Sequence, residues 1–301
     1  MTSPDVVARG LTLRYGRTTA LDDVTFTLAG GRIYGLLGRN GAGKTSLLSL
    51  LAGFRRPSGG RLTVAGAEPF EDPQVTEQVA LVRDPGPLYD MWRVSEVLDF
   101  AARMRPRWDA ACAERLVERF EVPLRRRVMT LSHGKKSALS ITVGLAARAP
   151  ITAFDEAYLG LDAPSRYAFY DELLADYATH PRTIIISTHL IEEVASLFEE
   201  VLILHRGRLL LHEDSDTLRS RGAAVTGPAA AVDRFVDGLT ALGERRLGPT
   251  KSVTVYGELD GERTRRARAA GLDIDPVPLQ DLFVHLTEDD ARAAAATGGA
   301  S

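Results

Sequence analysis

The chain predicts an α/β fold with a largely parallel sheet, and three observations carry that prediction. Short, nearly continuous apolar runs at Ile33–Leu37, Ile151–Phe154 and Thr183–Ser187 have the composition of strands buried on both faces. Helical spacing follows the first of them at Ser46–Ala52 and recurs across Ser95–Arg148. Each run ends in residues that carry chemistry: Gly38, the carboxylate pair Asp155-Glu156, and Thr188-His189. Open α/β sheets place their ligands at such carboxyl ends.

The end of the first run is the most specific signal. Gly38-Arg39-Asn40-Gly41-Ala42-Gly43-Lys44-Thr45 spells G-x-x-x-x-G-K-T between a strand and a helix that begins near Ser46, which is the P-loop pattern in its required setting. Its glycines let successive backbone N–H groups turn inward around phosphate oxygens at the positive end of the following helix. In that arrangement Lys44 reaches the β- and γ-phosphates, and the Thr45 hydroxyl ligates Mg²⁺.

Upstream, Val6–Arg14 and Leu21–Leu28 alternate apolar with polar residues and read as paired antiparallel strands. Tyr15, at the end of the first, is either a core ring or a flat surface for a nucleotide base. Strands follow at Arg61–Ala65 and Val79–Val82, and the second runs into Asp84-Pro85-Gly86-Pro87, which permits neither helix nor sheet. The helical insertion, about 95–148, ends in Leu131-Ser132-His133-Gly134-Lys135 and a helix to Arg148. From Gly222 the reading is strand, helix Ala229–Leu242, strands near Arg245 and at Lys251–Tyr256, helix Gly261–Ala270, strand Leu272–Val277 and a last helix Gln280–Leu286. That order suggests a ferredoxin-like α+β module at 222–288, with the small, polar tail 289–301 disordered.

Composition narrows the function classes. A net charge of −3 gives no global attraction to nucleic acid or anionic lipid. Lysine occurs only at positions 44, 135, 136 and 251 in an arginine-rich chain, so Arg125-Arg126-Arg127 is a weak pointer to a phosphate patch. The single cysteine, Cys112, excludes an internal disulfide and a cysteine metal cage and fits a reducing compartment. No apolar run approaches the ~18 residues of a membrane span.

From about Val6 to His212 the chain resembles the nucleotide-binding subunits of ABC transporters. Gly38–Thr45 matches Walker A, Leu131-Ser132-His133-Gly134-Lys135 resembles the L-S-G-G-Q signature, and Asp155-Glu156 closes a Walker B strand. Gly160-Leu161-Asp162 resembles the D-loop, His189 the switch histidine, and Tyr15 stands where the family stacks adenine. The resemblance implies an ABC ATPase domain over 1–221, with an antiparallel β subdomain and the helical insertion. It implies a head-to-tail dimer, with a second copy or a paralogous subunit, that sandwiches ATP between one P-loop and the partner's Ser132 and Gly134. Glu156 would then polarise the attacking water, Asp155 hold Mg²⁺ through its waters, and His189 sense the γ-phosphate. Such a chain works on the cytoplasmic face of the membrane with permease subunits on separate chains, in an exporter, and has no direct nucleic-acid partner. Alternatives are an ABC-type ATPase of nucleic-acid or ribosome work, and a weakly hydrolysing regulatory subunit.

Three positions depart from the family pattern. Asp84 stands where a glutamine is usual, within reach of Mg²⁺ but repelling phosphate, and His133 replaces a signature glycine. Ala157-Tyr158-Leu159 replaces Pro-Thr-Ser and is expected to add bulk where the partner's nucleotide approaches. Tyr89, Met91 and Trp92 are expected to line a docking surface for a membrane-subunit helix.

Overall fold

The computed structural model describes residues 3–83, 90–257 and 261–287. They fall into two compact units: Met1–His189 with Leu197–His212, and Leu190–Ser196 with Glu213–Ser301.

The first unit opens with β1 (Val6–Tyr15), β2 (Thr18–Leu28), β3 (Ile33–Leu37), α1 (Lys44–Leu51) and β4 (Gly59–Val64). The sheet β2-β1-β4 is antiparallel, as the alternation predicts, with Val6 opposite Leu28 and Val64. Then come α2 (Pro73–Thr76), β5 (Val79–Arg83), α3 (Val94–Met104), α4 (Ala110–Arg119), α5 (His133–Ala146), β6 (Ile151–Asp155), α6 (Ala163–Thr179) and β7 (Thr183–Thr188). After α7 (Ile191–Val194), a short element of the second unit, the chain returns with β8 (Glu200–His205) and β9 (Arg208–Asp214). The main sheet has the order β5-β6-β7-β3-β8-β9, and β5, β6, β7, β3 and β8 are parallel. Strands β3, β6 and β7 are buried at every residue, which is why they lack alternation in the sequence.

The two sheets share one core, and α1 is part of it. Leu47, Leu48, Leu50 and Leu51 pack with Val6, Phe26 and Leu62 of the small sheet and with Leu36, Ile185 and Leu202 of the large one. Each such leucine stabilises the helix by roughly 1.5–3 kcal/mol of burial, so the loop before α1 is anchored on a rigid element. Register brings the strand ends together: Leu37 lies beside Thr188, and Ser187 beside Asp155, which in turn lies beside Arg83.

The second unit adds α8 (Ser215–Ser220), β10 (Gly222–Pro228), α9 (Ala229–Val236), β11 (Thr240–Leu247), β12 (Thr250–Tyr256), α10 (Gly261–Ala269), β13 (Asp273–Pro276) and a helix at 279–287. Its sheet order β11-β12-β10-β13, antiparallel throughout, is the βαββαβ arrangement that the sequence suggests. Helix α9 is shorter than expected. Gly238 at φ +76° turns the chain, and Leu242 is buried from strand β11 instead of from a helix. The tail 289–301 lies outside the described residues.

Candidate functional site

The P-loop leaves β3 and closes on the N-terminus of α1. Gly43 adopts φ +107°, and a Cβ there would stand 2.6 Å from the Ala20 carbonyl oxygen, so both conformation and space demand glycine. Ala42 is buried, its N–H donates to the Arg39 carbonyl at 3.0 Å, and its own carbonyl accepts from Gly207 N–H at 3.0 Å. Arg39, Asn40, Gly41 and Thr45 are exposed, with Gly38 buried behind them and Ser46 half-buried. Lys44 is buried. Its Nζ donates to the Gly38 carbonyl at 2.7 Å and lies 3.3 Å from Oε1 of Glu156.

Asp155 and Glu156 follow each other at the end of β6 but face different surroundings. Asp155 is buried, and its Oδ1 accepts from the Ser187 hydroxyl at 2.7 Å. Glu156 sits at φ +53°, in the left-handed region that side chains of this length rarely adopt. That twist turns its carboxylate back over the strand ends, where Oε1 meets both Lys44 and Nδ1 of His189, the latter at 3.1 Å. A carboxylate held between two nitrogen donors, 27% exposed, is oriented and still open to solvent. It can accept a proton from a water hydrogen-bonded to its free oxygen lone pairs.

The remaining expected residues have defined places. Tyr15 is 38% exposed, and the guanidinium of Arg55 lies 4.7 Å from its ring centroid, so one ring face is covered by a cation. Ser132 caps α5 by accepting from Lys135 N–H at 3.4 Å, while Lys135 Nζ donates to the Phe120 carbonyl at 2.6 Å. Leu131 is buried and His133 exposed. A Cβ on Gly160 would come within 2.7 Å of the His133 ring, and one on Gly134 within 3.1 Å of the Gly160 carbonyl. The signature and D-loop segments are therefore in contact within one chain. These bonds of Ser132 and Lys135 do not join them to Lys44 or Glu156. Asp162 caps α6 through Ser165 N–H at 3.0 Å, and hydrogen bonds from the Ser165 hydroxyl first and its N–H second hold its carboxyl below the usual range.

One expectation meets a different fact. The bulk of Ala157-Tyr158 does not project toward a partner: both residues are fully buried, and Tyr158 stacks on Phe169 and donates to the Thr188 hydroxyl. Asp84 and Tyr89 lie outside the described residues. Of the other docking residues, Met91 is exposed and Trp92 packs edge-on against Phe100 at 5.4 Å.

Arg83 escapes sequence reasoning. It ends β5 beside Asp155, and the guanidinium donates to the Ser49 hydroxyl of α1, which donates to the Thr45 carbonyl at 2.6 Å. The only available signal is an arginine as the last residue of a buried strand. A cavity of about 1550 Å³ lies where strands begin, at Gln78, Pro150 and Arg182, and shares no residue with this cluster. Open α/β sheets bind their ligands at strand carboxyl ends, where this cluster lies.

Residues 21–159 match the family model described as ABC transporter. Over 199 residues the chain is 30% identical to the ABC transporter ATP-binding protein YtrB of Bacillus subtilis (strain 168), covering 66% of this chain and 68% of that one. This chain belongs to the ABC transporter ATP-binding proteins. Daunorubicin resistance ATP-binding protein DrrA3 of Streptomyces coeruleorubidus is 27% identical over 314 residues, 97% of this chain and 98% of its own. The solved structure of an ATP-binding subunit of an ABC transporter is 27% identical with a TM-score of 0.64, over 71% of this chain and 91% of that one. As an ABC transporter ATP-binding protein, the chain binds and hydrolyses ATP, and the reading as a nucleic-acid or ribosome ATPase is not favoured. No described helix is long and apolar enough to cross a membrane.

Proposed function

We propose that this chain is the motor of an exporter, in which Gly38–Ser46 wraps the phosphates of ATP and Glu156 directs the attacking water. One observation carries the assignment: Glu156 Oε1 lies between Lys44 Nζ at 3.3 Å and His189 Nδ1 at 3.1 Å, beside the loop that receives the phosphates. Lys44 supplies positive charge to the β- and γ-phosphates, and Tyr15 stacks the base on the ring face away from Arg55. The water oxygen bonds to the γ-phosphorus, Glu156 takes its proton, and the bond to the β–γ bridging oxygen breaks to release ADP. With the proton on Nδ1, His189 donates to Glu156 and holds it in line.

Mg²⁺ fits the donor set. Thr45 offers a hydroxyl and Asp155 a carboxylate, both hard oxygen donors, and no described cluster of three His, Cys, Asp or Glu forms a dedicated cage. That sparse set suits an ion that keeps its waters and shares the nucleotide's oxygens. Mg²⁺ when bound neutralises charge on the phosphates.

Ser132 and Gly134 act across a head-to-tail dimer, on the cytoplasmic face of a membrane whose permease subunits are separate chains. The export direction follows the resistance protein DrrA3, which matches over 97% of this chain. A mixing experiment tests the dimer. Chains with Lys44→Ala and chains with Ser132→Phe are each inactive, yet their heterodimer holds one site with both parts intact. Mixing should therefore restore about a quarter of wild-type ATPase activity, because half of the dimers are mixed and each has one of two sites. No recovery would place the signature's action within its own chain.

A further inference from the structure

We infer that Arg83 sets the divalent-cation requirement of the nucleotide site by placing a fixed positive charge at the carboxylate of Asp155. The inference rests on the reading of Thr45 and Asp155 as the Mg²⁺ residues, and it concerns a residue to which that reading gives no role.

The geometry separates orienting Asp155 from charging its surroundings. Orientation comes from Ser187, whose hydroxyl holds Oδ1 at 2.7 Å. Arg83 Nε faces the other oxygen, Oδ2, at 3.8 Å, beyond hydrogen-bond reach, and this buried N–H has no hydrogen-bond partner among the described residues. The guanidinium is therefore a charge neighbour of Oδ2 and not its anchor. Its own anchors are elsewhere: it donates to Ser49 Oγ and lies over the Phe54 ring at 5.5 Å, both fixed by α1 or the turn after it. Through Ser49 it is tied to the backbone of Thr45, so one cation stands beside both residues assigned to the metal.

Two consequences follow from Coulomb's law. Asp155 is 5% exposed and Arg83 29%, so the interaction is only partly screened. A dication approaching Oδ2 meets a like charge that Ser49 and Phe54 keep in place, and it shares the carboxylate with that charge. Arg83 thereby weakens the cation's hold and raises the concentration needed to fill the site. A glutamine at 83 keeps a polar amide at the position of Nε on a shorter side chain, and removes both the charge and the terminal nitrogen that reaches Ser49. A lysine keeps the charge.

The test reads cation occupancy directly, with full-length protein saturated with a non-hydrolysable ATP analogue and titrated with Mn²⁺ by electron paramagnetic resonance. Arg83→Gln should lower the half-saturating Mn²⁺ concentration about tenfold, and Arg83→Lys should leave it within about threefold of wild type. Ser49→Ala, which frees the guanidinium to swing out, should give part of the same fall and serves if Arg83→Gln does not fold. Unchanged or weaker Mn²⁺ binding in Arg83→Gln, or in Ser49→Ala where only that variant folds, overturns the inference. The underlying reading fails differently: Asp155→Asn would then leave Mn²⁺ affinity at the wild-type value, and the role of Arg83 would fall with it.

Discussion

Replacing Glu156 with glutamine separates binding from turnover, because the substitution keeps the side chain's shape and removes only its ability to accept a proton. The amide oxygen still accepts from Lys44 and His189, at 3.3 and 3.1 Å in the native arrangement, so the P-loop keeps its geometry. Lys44 is further held by the Gly38 carbonyl at 2.7 Å, and none of its phosphate-binding capacity depends on Glu156. A positioned general base contributes roughly 10²–10⁴-fold to rate, so phosphate release should fall by at least about a hundredfold. Nucleotide affinity, read with a fluorescent ATP analogue, should stay within about threefold or tighten, since a carboxylate no longer faces the γ-phosphate. Function and stability also separate at this position. A non-glycine residue at φ +53° carries about 1–3 kcal/mol of backbone strain. Glu156→Gly should therefore lose turnover as fully as the glutamine variant while its denaturation midpoint rises or holds. Wild-type turnover in Glu156→Gln would refute the assignment, and loss of nucleotide binding there would show the carboxylate to be part of the loop's scaffold.

Asp109 caps α4 through Cys112 N–H and pairs with Arg148 at 2.7 Å, and both hold its carboxyl below the usual range. Its contribution is present above the unfolded carboxylate range and is lost as pH falls through the depressed folded value. Asp109→Asn keeps the cap and loses the charge, so urea unfolding should show a deficit of about 1–2 kcal/mol at pH 7 that vanishes near pH 2. At the docking surface expected from the sequence, Met91 is exposed and Trp92 is packed on Phe100, so their substitutions should act differently. Met91→Asp should abolish co-purification with the permease while the melting temperature and ATP binding stay unchanged, whereas Trp92→Ala should lower the melting temperature by several degrees. An unaltered co-purification in Met91→Asp would remove this loop from the interface.

What the sequence makes legible is chemistry fixed by spacing along the chain. Gly38–Thr45 is readable because a P-loop is defined by its own consecutive residues, whose backbone and adjacent side chains carry its chemistry. Asp155, Glu156 and His189 are readable as strand-end residues, although their mutual distances are not. Those distances depend on a positive φ at Glu156 that no residue type announces, glutamate being a poor candidate for it. Arg83 is illegible because sheet register, not sequence distance, sets it beside Asp155. The same holds for Tyr158, which its place after the glutamate marks as surface bulk and which instead stacks on Phe169, whose position depends on how α6 packs. The helix expected over Ala229–Leu242 is a local error of another kind: apolar spacing continues past Gly238, and the strand pairing of Thr240–Leu247 with β12 prevails.

Two departures from the family pattern, His133 and Tyr158, are met by neighbours within the chain, and this bears on whether the site is functional or vestigial. His133 adds a ring where the signature usually has a glycine, and the ring lies against Gly160, where a methyl group would come within 2.7 Å of it and within 2.2 Å of the Ser137 hydroxyl. One side of the exposed ring is thus fitted against a glycine of the D-loop within the same chain. Tyr158 is also met within the chain, with its ring in the core and its hydroxyl on Thr188, the residue just before His189. A vestigial site would be under no pressure to keep Glu156 in a strained conformation aimed at Lys44 and His189. Strain held at the one residue that would direct the water, with the bulk of Tyr158 buried beside it, is the pattern of a site that hydrolyses ATP.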